Sequence, residues 1–157
     1  MRKLSTPLIV IISILAILVL IGGAFAGSYN NLVRLDEETN SQWAQIENQL
    51  KRRADLIPNL VNTVKGFAQQ EKDVLIGVTE ARSGIQKANT PGELAQANDQ
   101  LTSALSKLNV VVERYPQLKS DQNFIRLQDE LSGTENRVAV ARKDYNDSAK
   151  VFNSKVR

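Results

Sequence analysis

Lys51-Arg52-Arg53-Ala54-Asp55 is a dense run of ionisable side chains, and two amides, Asn59 and Asn62, follow it. Three cations, one carboxylate and two amides can hold a charged partner, but they include no nucleophile and no strong general base. Asp36-Glu37-Glu38 offers carboxylates suited to a hard metal ion. Glu135-Asn136-Arg137 offers an acid and a base two positions apart. The chain has no histidine, the commonest general base and metal ligand. It has no cysteine either, so it forms no disulfide, thiolate or lipidated-cysteine anchor. A di-metal centre between helices needs Glu-x-x-His pairs on facing helices. Asp36-Glu37-Glu38 therefore reads as a solvated acidic patch. Paired carboxylates alone can hydrolyse glycosides, but they need a cleft that a narrow helical domain does not offer. The expectation is no catalytic residue, no metal site and no cofactor.

The elements that carry these residues all read as helices. Glycine and proline are sparse, at 8 and 4 of 157 residues, and the composition is helix-rich. A first helix, about Tyr29 to Arg53, has an apolar stripe at Leu32, Leu35, Thr39, Trp43, Ile46 and Leu50. The stripe repeats every eleven residues, a spacing that drifts only slightly right-handed. Trp43, the only tryptophan, lies on it and reads as a core anchor. The stripe stops at KRRAD. Pro58 inside a helix would cost about 3 kcal/mol, so a second helix is expected to start there. Asp55 would be its N-cap and Pro58 would lie in its first turn, with Val64, Phe67, Leu75, Val78 and Ile85 on its apolar side. Thr90 with Glu93 forms a capping-box pattern, and Pro91 opens a third helix through Leu94, Ala97, Leu101, Ala104, Leu108 and Val111. That helix ends near Tyr115-Pro116. Ser120 or Asp121 caps a last helix striped by Phe124, Leu127, Leu131, Thr134, Val138, Ala141, Tyr145 and Phe152. In that helix Ser132-Gly133 is a candidate bend, and Glu135-Asn136-Arg137 reads either as a polar layer that sets register or as ordinary surface pairing. One apolar stripe per helix and short connections make an all-α, antiparallel four-helix bundle the expected fold.

Ahead of this domain, PLIVIISILAILVLIGGAFAG, residues 7–27, carries no charge. A helix needs about 20 apolar residues to cross a bilayer. A cleavable signal peptide is the competing reading, supported by Ala24-Phe25-Ala26. The uncharged run is longer than the roughly 7–15 residues usual for a signal, so a retained anchor is expected. The division is residues 1–6 as a short cytoplasmic N-terminus, 7–27 as a transmembrane helix and 28–157 as the helical domain. Arg2 and Lys3 before the span, against Asp36-Glu37-Glu38 after Arg34, place the N-terminus in the cytoplasm and the bulk domain in the periplasm or outside the cell. The formal charge is +3, with 20 basic and 17 acidic residues. Beyond Arg2 and Lys3 the two signs are nearly matched and interspersed. A basic stripe for nucleic acid is lacking, so no nucleic-acid partner is expected.

QLKRRADLIPNLVNTVKG and LQDELSGTENRVAVAR, with YNNLVRLDEETNSQWAQIEN, VTEAR and YPQLKSDQNFIR, resemble the LemA family of bacterial membrane-anchored proteins from Tyr29 to Asn146. The resemblance implies an N-terminal anchor, an antiparallel helical bundle and no established enzymatic activity. It also implies a place in the cell envelope, since related members are linked to magnetosome membrane formation. Family members commonly continue into a short apolar and aromatic tail, whereas this sequence reads VFNSKVR at its end, so no role of that tail carries over. Lys51, Arg52, Arg53, Asp55, Asn59 and Asn62 are the candidate partner surface, at the expected first turn away from the membrane. Helix-end electrostatics explains the charges there, but not two asparagines where better helix formers would serve. The expected function is a non-enzymatic scaffold or adaptor. Its partners would be the membrane and an unidentified envelope or membrane protein, with a homo-oligomer as a further option. The alternative is a self-associating, membrane-organising protein.

Overall fold

The computed structural model describes residues 6–157, with side chains described from Ser13 onward. Arg2 and Lys3, on which the expected orientation rests, lie outside the described residues. Five helices make up the described chain: α1 (Thr6–Phe67), α2 (Lys72–Lys87), α3 (Pro91–Val112), α4 (Pro116–Lys119) and α5 (Gln122–Val156). Among the described residues there is no strand, so the all-α expectation holds.

The chain forms two compact units, residues 1–42 with 145–157, and residues 43–144. In the first unit, side chains 13–30 are all exposed, including Leu20 at 73% and Phe25 at 74%. Apolar surface of this kind is costly in water. α1 is the one helix among the described residues long and apolar enough to cross a membrane. Further along it, Leu35 is buried, and the Thr39 hydroxyl donates to the Leu35 carbonyl at 2.8 Å. Asp36, Glu37 and Glu38 face solvent.

The second unit has an aliphatic core. Ile46, Leu50, Ile57, Leu60 and Val64 of α1 are buried, with Val78 of α2, Leu101 and Leu108 of α3, Leu118 of α4 and Phe124 of α5. Each such side chain contributes about 1.5–3 kcal/mol of burial. α2 packs on α3, and at Gly84 a Cβ would make an ordinary van der Waals contact with the Ala97 Cβ at 3.5 Å. Trp43 departs from the expected core anchor. It is only half-buried, and its indole N–H donates to Glu47 Oε1 at 2.7 Å.

The expected start of a second helix at Pro58 is wrong. α1 continues through Pro58 to Phe67, and the chain turns at residues 68–71 instead. The compensation comes from outside the helix. Proline has no N–H to give to the carbonyl four residues earlier, which belongs to Ala54, a buried residue. Arg82 of α2 supplies the missing donor, its Nε–H reaching the Ala54 oxygen at 3.0 Å. Arg82 thus keeps a buried carbonyl satisfied, as backbone groups in a core must be. The actual turn is held by Glu71, which accepts from the Tyr115 hydroxyl at 3.0 Å and pairs with Arg114 at 3.1 Å.

The later boundaries follow their sequence signals. Thr90 and Glu93 form a complete capping box around Pro91. The Asp121 carboxylate accepts from the Phe124 N–H at 2.9 Å, so Asp121 caps α5. α5 then runs through Ser132-Gly133 to Val156 without a break. The one-turn α4 carries Leu118 into the core, an element with no stripe to announce it.

Candidate functional site

Between Trp43 and Phe67, α1 presents two faces. Lys51, Arg52, Asp55, Asn59 and Asn62 are all exposed and fall on one side of the helix. Ile46, Leu50, Ile57, Leu60 and Val64 lie on the other side and are buried. Arg53 does not join the candidate partner surface to which its sequence neighbours belong. It is 2% exposed and sits on the apolar side. Neither set marks a turn, because α1 passes straight through both.

A buried guanidinium must be hydrogen-bonded, and it stays charged at any ordinary pH. Arg53 Nη1 donates to Asn98 Oδ1 at 2.8 Å and to Thr102 Oγ1 at 3.1 Å, both on α3. Asn98 is itself buried, an amide in the core for this purpose. Nη2 approaches Glu135 Oε2 of α5 at 3.5 Å. Burial lowers the guanidinium pKa from its ordinary value; Glu135 opposes that shift and Arg142 adds to it. Desolvation is therefore the largest of these influences, and Glu135 offsets it incompletely.

Arg53 also lines a cavity of about 190 Å³. Leu60 lies beside it on α1, Thr102, Ser106 and Asn109 contribute from α3, and Gln128, Ser132 and Glu135 from α5. Gln128 Nε2 donates to Asn109 Oδ1 at 2.8 Å, joining α5 to α3. Arg137 Nε donates to Gln49 Oε1 at 3.1 Å, joining α5 to α1. Glu135 and Arg137 therefore act between helices rather than within one. With Arg53, Asn98 and Thr102, Glu135 belongs to the polar layer that was one of its two sequence readings. Asn136 between them is exposed.

Sequence reasoning placed Arg53 on the exposed partner surface, where the structure buries it, and missed Asn98 and Arg82. A signal for Arg53 was present. Ile46, Leu50, Arg53, Ile57, Leu60 and Val64 are spaced by four, three, four, three and four residues, a heptad pattern that treats the arginine as a core position. Accepting it would have carried the stripe through KRRAD and past Pro58. Asn98 had a weaker signal, standing next to Ala97 on the buried side of α3. Arg82 had none.

The chain is similar to magnetosome protein MamQ 2 of Paramagnetospirillum magneticum, with 25% identity over 94% of this chain and 64% of that protein. It is similar to protein LemA of Metamycoplasma hominis, with 27% identity over 84% of this chain and 61% of that protein. Magnetosome protein MamQ of Magnetospirillum gryphiswaldense is 24% identical over 80% of this chain and 56% of its own length. The chain thus spans 56% to 64% of the length of these relatives. The sequence model of the LemA family matches residues 42–157, most of the chain and the whole of the unit that holds Arg53. On that match the chain belongs to the LemA family.

Proposed function

We propose that the chain is a single-pass, membrane-anchored, non-enzymatic protein of the bacterial envelope, and that its helical domain is a scaffold or adaptor for other proteins. The observation that carries this reading is the outer face of α1. Lys51, Arg52, Asp55, Asn59 and Asn62 are exposed together on a helix whose opposite side is fixed in the core. Rigid backing of this kind suits a docking face, because little order is lost on binding. The exposed apolar stretch 13–30 in the same helix supports an anchor. The periplasmic or extracellular placement of the domain rests on flanking charge.

An up-and-down four-helix arrangement of residues 43–144 is part of the proposal. Ala54 is bonded to Arg82 across the turn at 68–71, and Asn109 to Gln128 across the corner that contains α4. These pairings fit antiparallel neighbours.

The test is co-purification of the full chain from detergent, with wild type beside a Lys51→Glu/Arg52→Glu variant. Arg53 is left intact because it is buried. The expected result is a co-purifying envelope protein that the variant loses while its helical circular dichroism is unchanged. The same partners on both proteins would rule out this face. A second reading, a self-associating membrane-organising protein, is favoured by the similarity to proteins named as magnetosome proteins. It predicts higher-order homo-oligomers of the full chain in light scattering and liposomes that change form when the chain is added.

A further inference from the structure

Arg53 is a buried cation whose hydrogen-bonding capacity the protein uses only in part. A guanidinium has five N–H donors in a fixed fork. Nη1 is engaged, but by an amide and a hydroxyl, neither of them charged. The Nη2 contact with Glu135 is 3.5 Å long, outside the 2.7–3.2 Å of an ordinary N–H to oxygen hydrogen bond. The shielded Nε–H has no acceptor among the described residues. Glu135 is also poorly placed as a counter-ion. Its side chain is 54% exposed where the arginine side chain is 2% exposed, so water screens much of its charge. Arg142 adds positive potential from α5.

The cavity beside this cation has the matching chemistry. Three leucines share its lining with the hydroxyls of Thr102, Ser106 and Ser132 and the amides of Asn109 and Gln128, and Glu135 is the one carboxylate in its wall. Its volume of about 190 Å³ is close to that of an apolar cavity that takes a benzene, about 150 Å³. The end of one carboxylate-bearing group fits that space, whereas a helix does not. Guanidinium forks pair best with carboxylates held in two-point contact, and Glu135 does not reach that geometry.

We propose that this cavity is a carboxylate-binding site: Arg53 takes an incoming carboxylate, and Glu135 is the tethered placeholder that it displaces. The carboxylate comes from a small free acid or from an acidic side chain of a partner chain. The site faces away from the exposed side of α1, and its fate is independent of that surface.

The test follows the Arg53 Nε–H signal by NMR in the ¹⁵N-labelled full chain in detergent micelles. Acetate, glutarate and a short glutamate-containing peptide are added in turn, with chloride and inorganic phosphate as controls. The expected result is a saturable shift with carboxylates that neither control reproduces. Glu135→Gln removes the competing charge and is expected to tighten carboxylate binding about tenfold. Arg53→Lys keeps the charge, loses the fork and is expected to weaken binding at least tenfold. Saturation by glutarate before the peptide assigns the site to a free acid, and the reverse order assigns it to a partner's side chain. Absence of saturation in both wild type and Glu135→Gln overturns the proposal, as does weaker binding in Glu135→Gln or an equal response to phosphate. If Arg53→Lys does not fold, the comparison of wild type with Glu135→Gln decides alone.

Discussion

Replacing Arg82 by methionine tests how α1 survives its internal proline. The substitution keeps much of the side chain's apolar volume and removes the donor that reaches the Ala54 carbonyl at 3.0 Å. Pro58 cannot supply a substitute, so the Ala54 oxygen, on a residue 1% exposed, is left without its partner. An unsatisfied buried acceptor costs about 1–3 kcal/mol. In a Pro58→Ala background the new amide at position 58 can donate to that same oxygen, and Arg82→Met then removes only a redundant donor. The expected coupling between the two sites is about 1–2 kcal/mol. That corresponds to roughly 2–8 °C in unfolding midpoint for a chain of this size. Pro58→Ala alone is expected to stabilise, since proline in a helix interior is about 3 kcal/mol worse than alanine. The assay is urea unfolding of the four proteins, as full chains in mild detergent, followed by circular dichroism and Trp43 fluorescence. Equal destabilisation by Arg82→Met in both backgrounds, within about 0.5 kcal/mol, would show that the guanidinium does not replace the missing hydrogen bond.

Two further changes probe other joints of the domain. The hydrogen bond from the Tyr115 hydroxyl to Glu71, with desolvation and the Glu71 charge, raises the phenol pKa above its ordinary value. A raised folded-state pKa means that this stabilisation is complete below the unfolded value near 10 and is lost as pH rises through the folded value. The unfolding midpoint is therefore expected to fall in strong alkali, and Tyr115→Phe to shrink that alkaline step; identical slopes in the two proteins would contradict it. Gly77 lies within α2, and a Cβ there would meet nothing within 4 Å. Gly77→Ala is expected to stabilise by about 0.5–1 kcal/mol in thermal unfolding, and a loss of stability would mean that the space is occupied in solution.

The sequence alone determined whatever depends on neighbours a few residues apart. The Thr90–Glu93 capping box and the Asp121 cap each close within one helical turn, and the stripe from Phe124 to Ala141 repeats every three or four residues, so local spacing was enough to read them. The uncharged run 7–27 was legible for the same reason, since length and apolarity are properties of a single segment. Tertiary structure decided the course of the chain around Pro58. Proline and the charges of KRRAD are stronger breakers than anything in Ala68-Gln69-Gln70-Glu71, yet the turn falls at the second place. Arg82, 28 residues from Ala54, satisfies the carbonyl that proline orphans. Glu71 is held from 44 residues away by Tyr115. Arg53 likewise becomes a core residue only because Asn98, 45 residues on, meets its guanidinium. A break or a buried charge is unfavourable only while its polar groups lack partners. Whether partners arrive depends on which helices come to lie side by side, and that is settled by the assembled core.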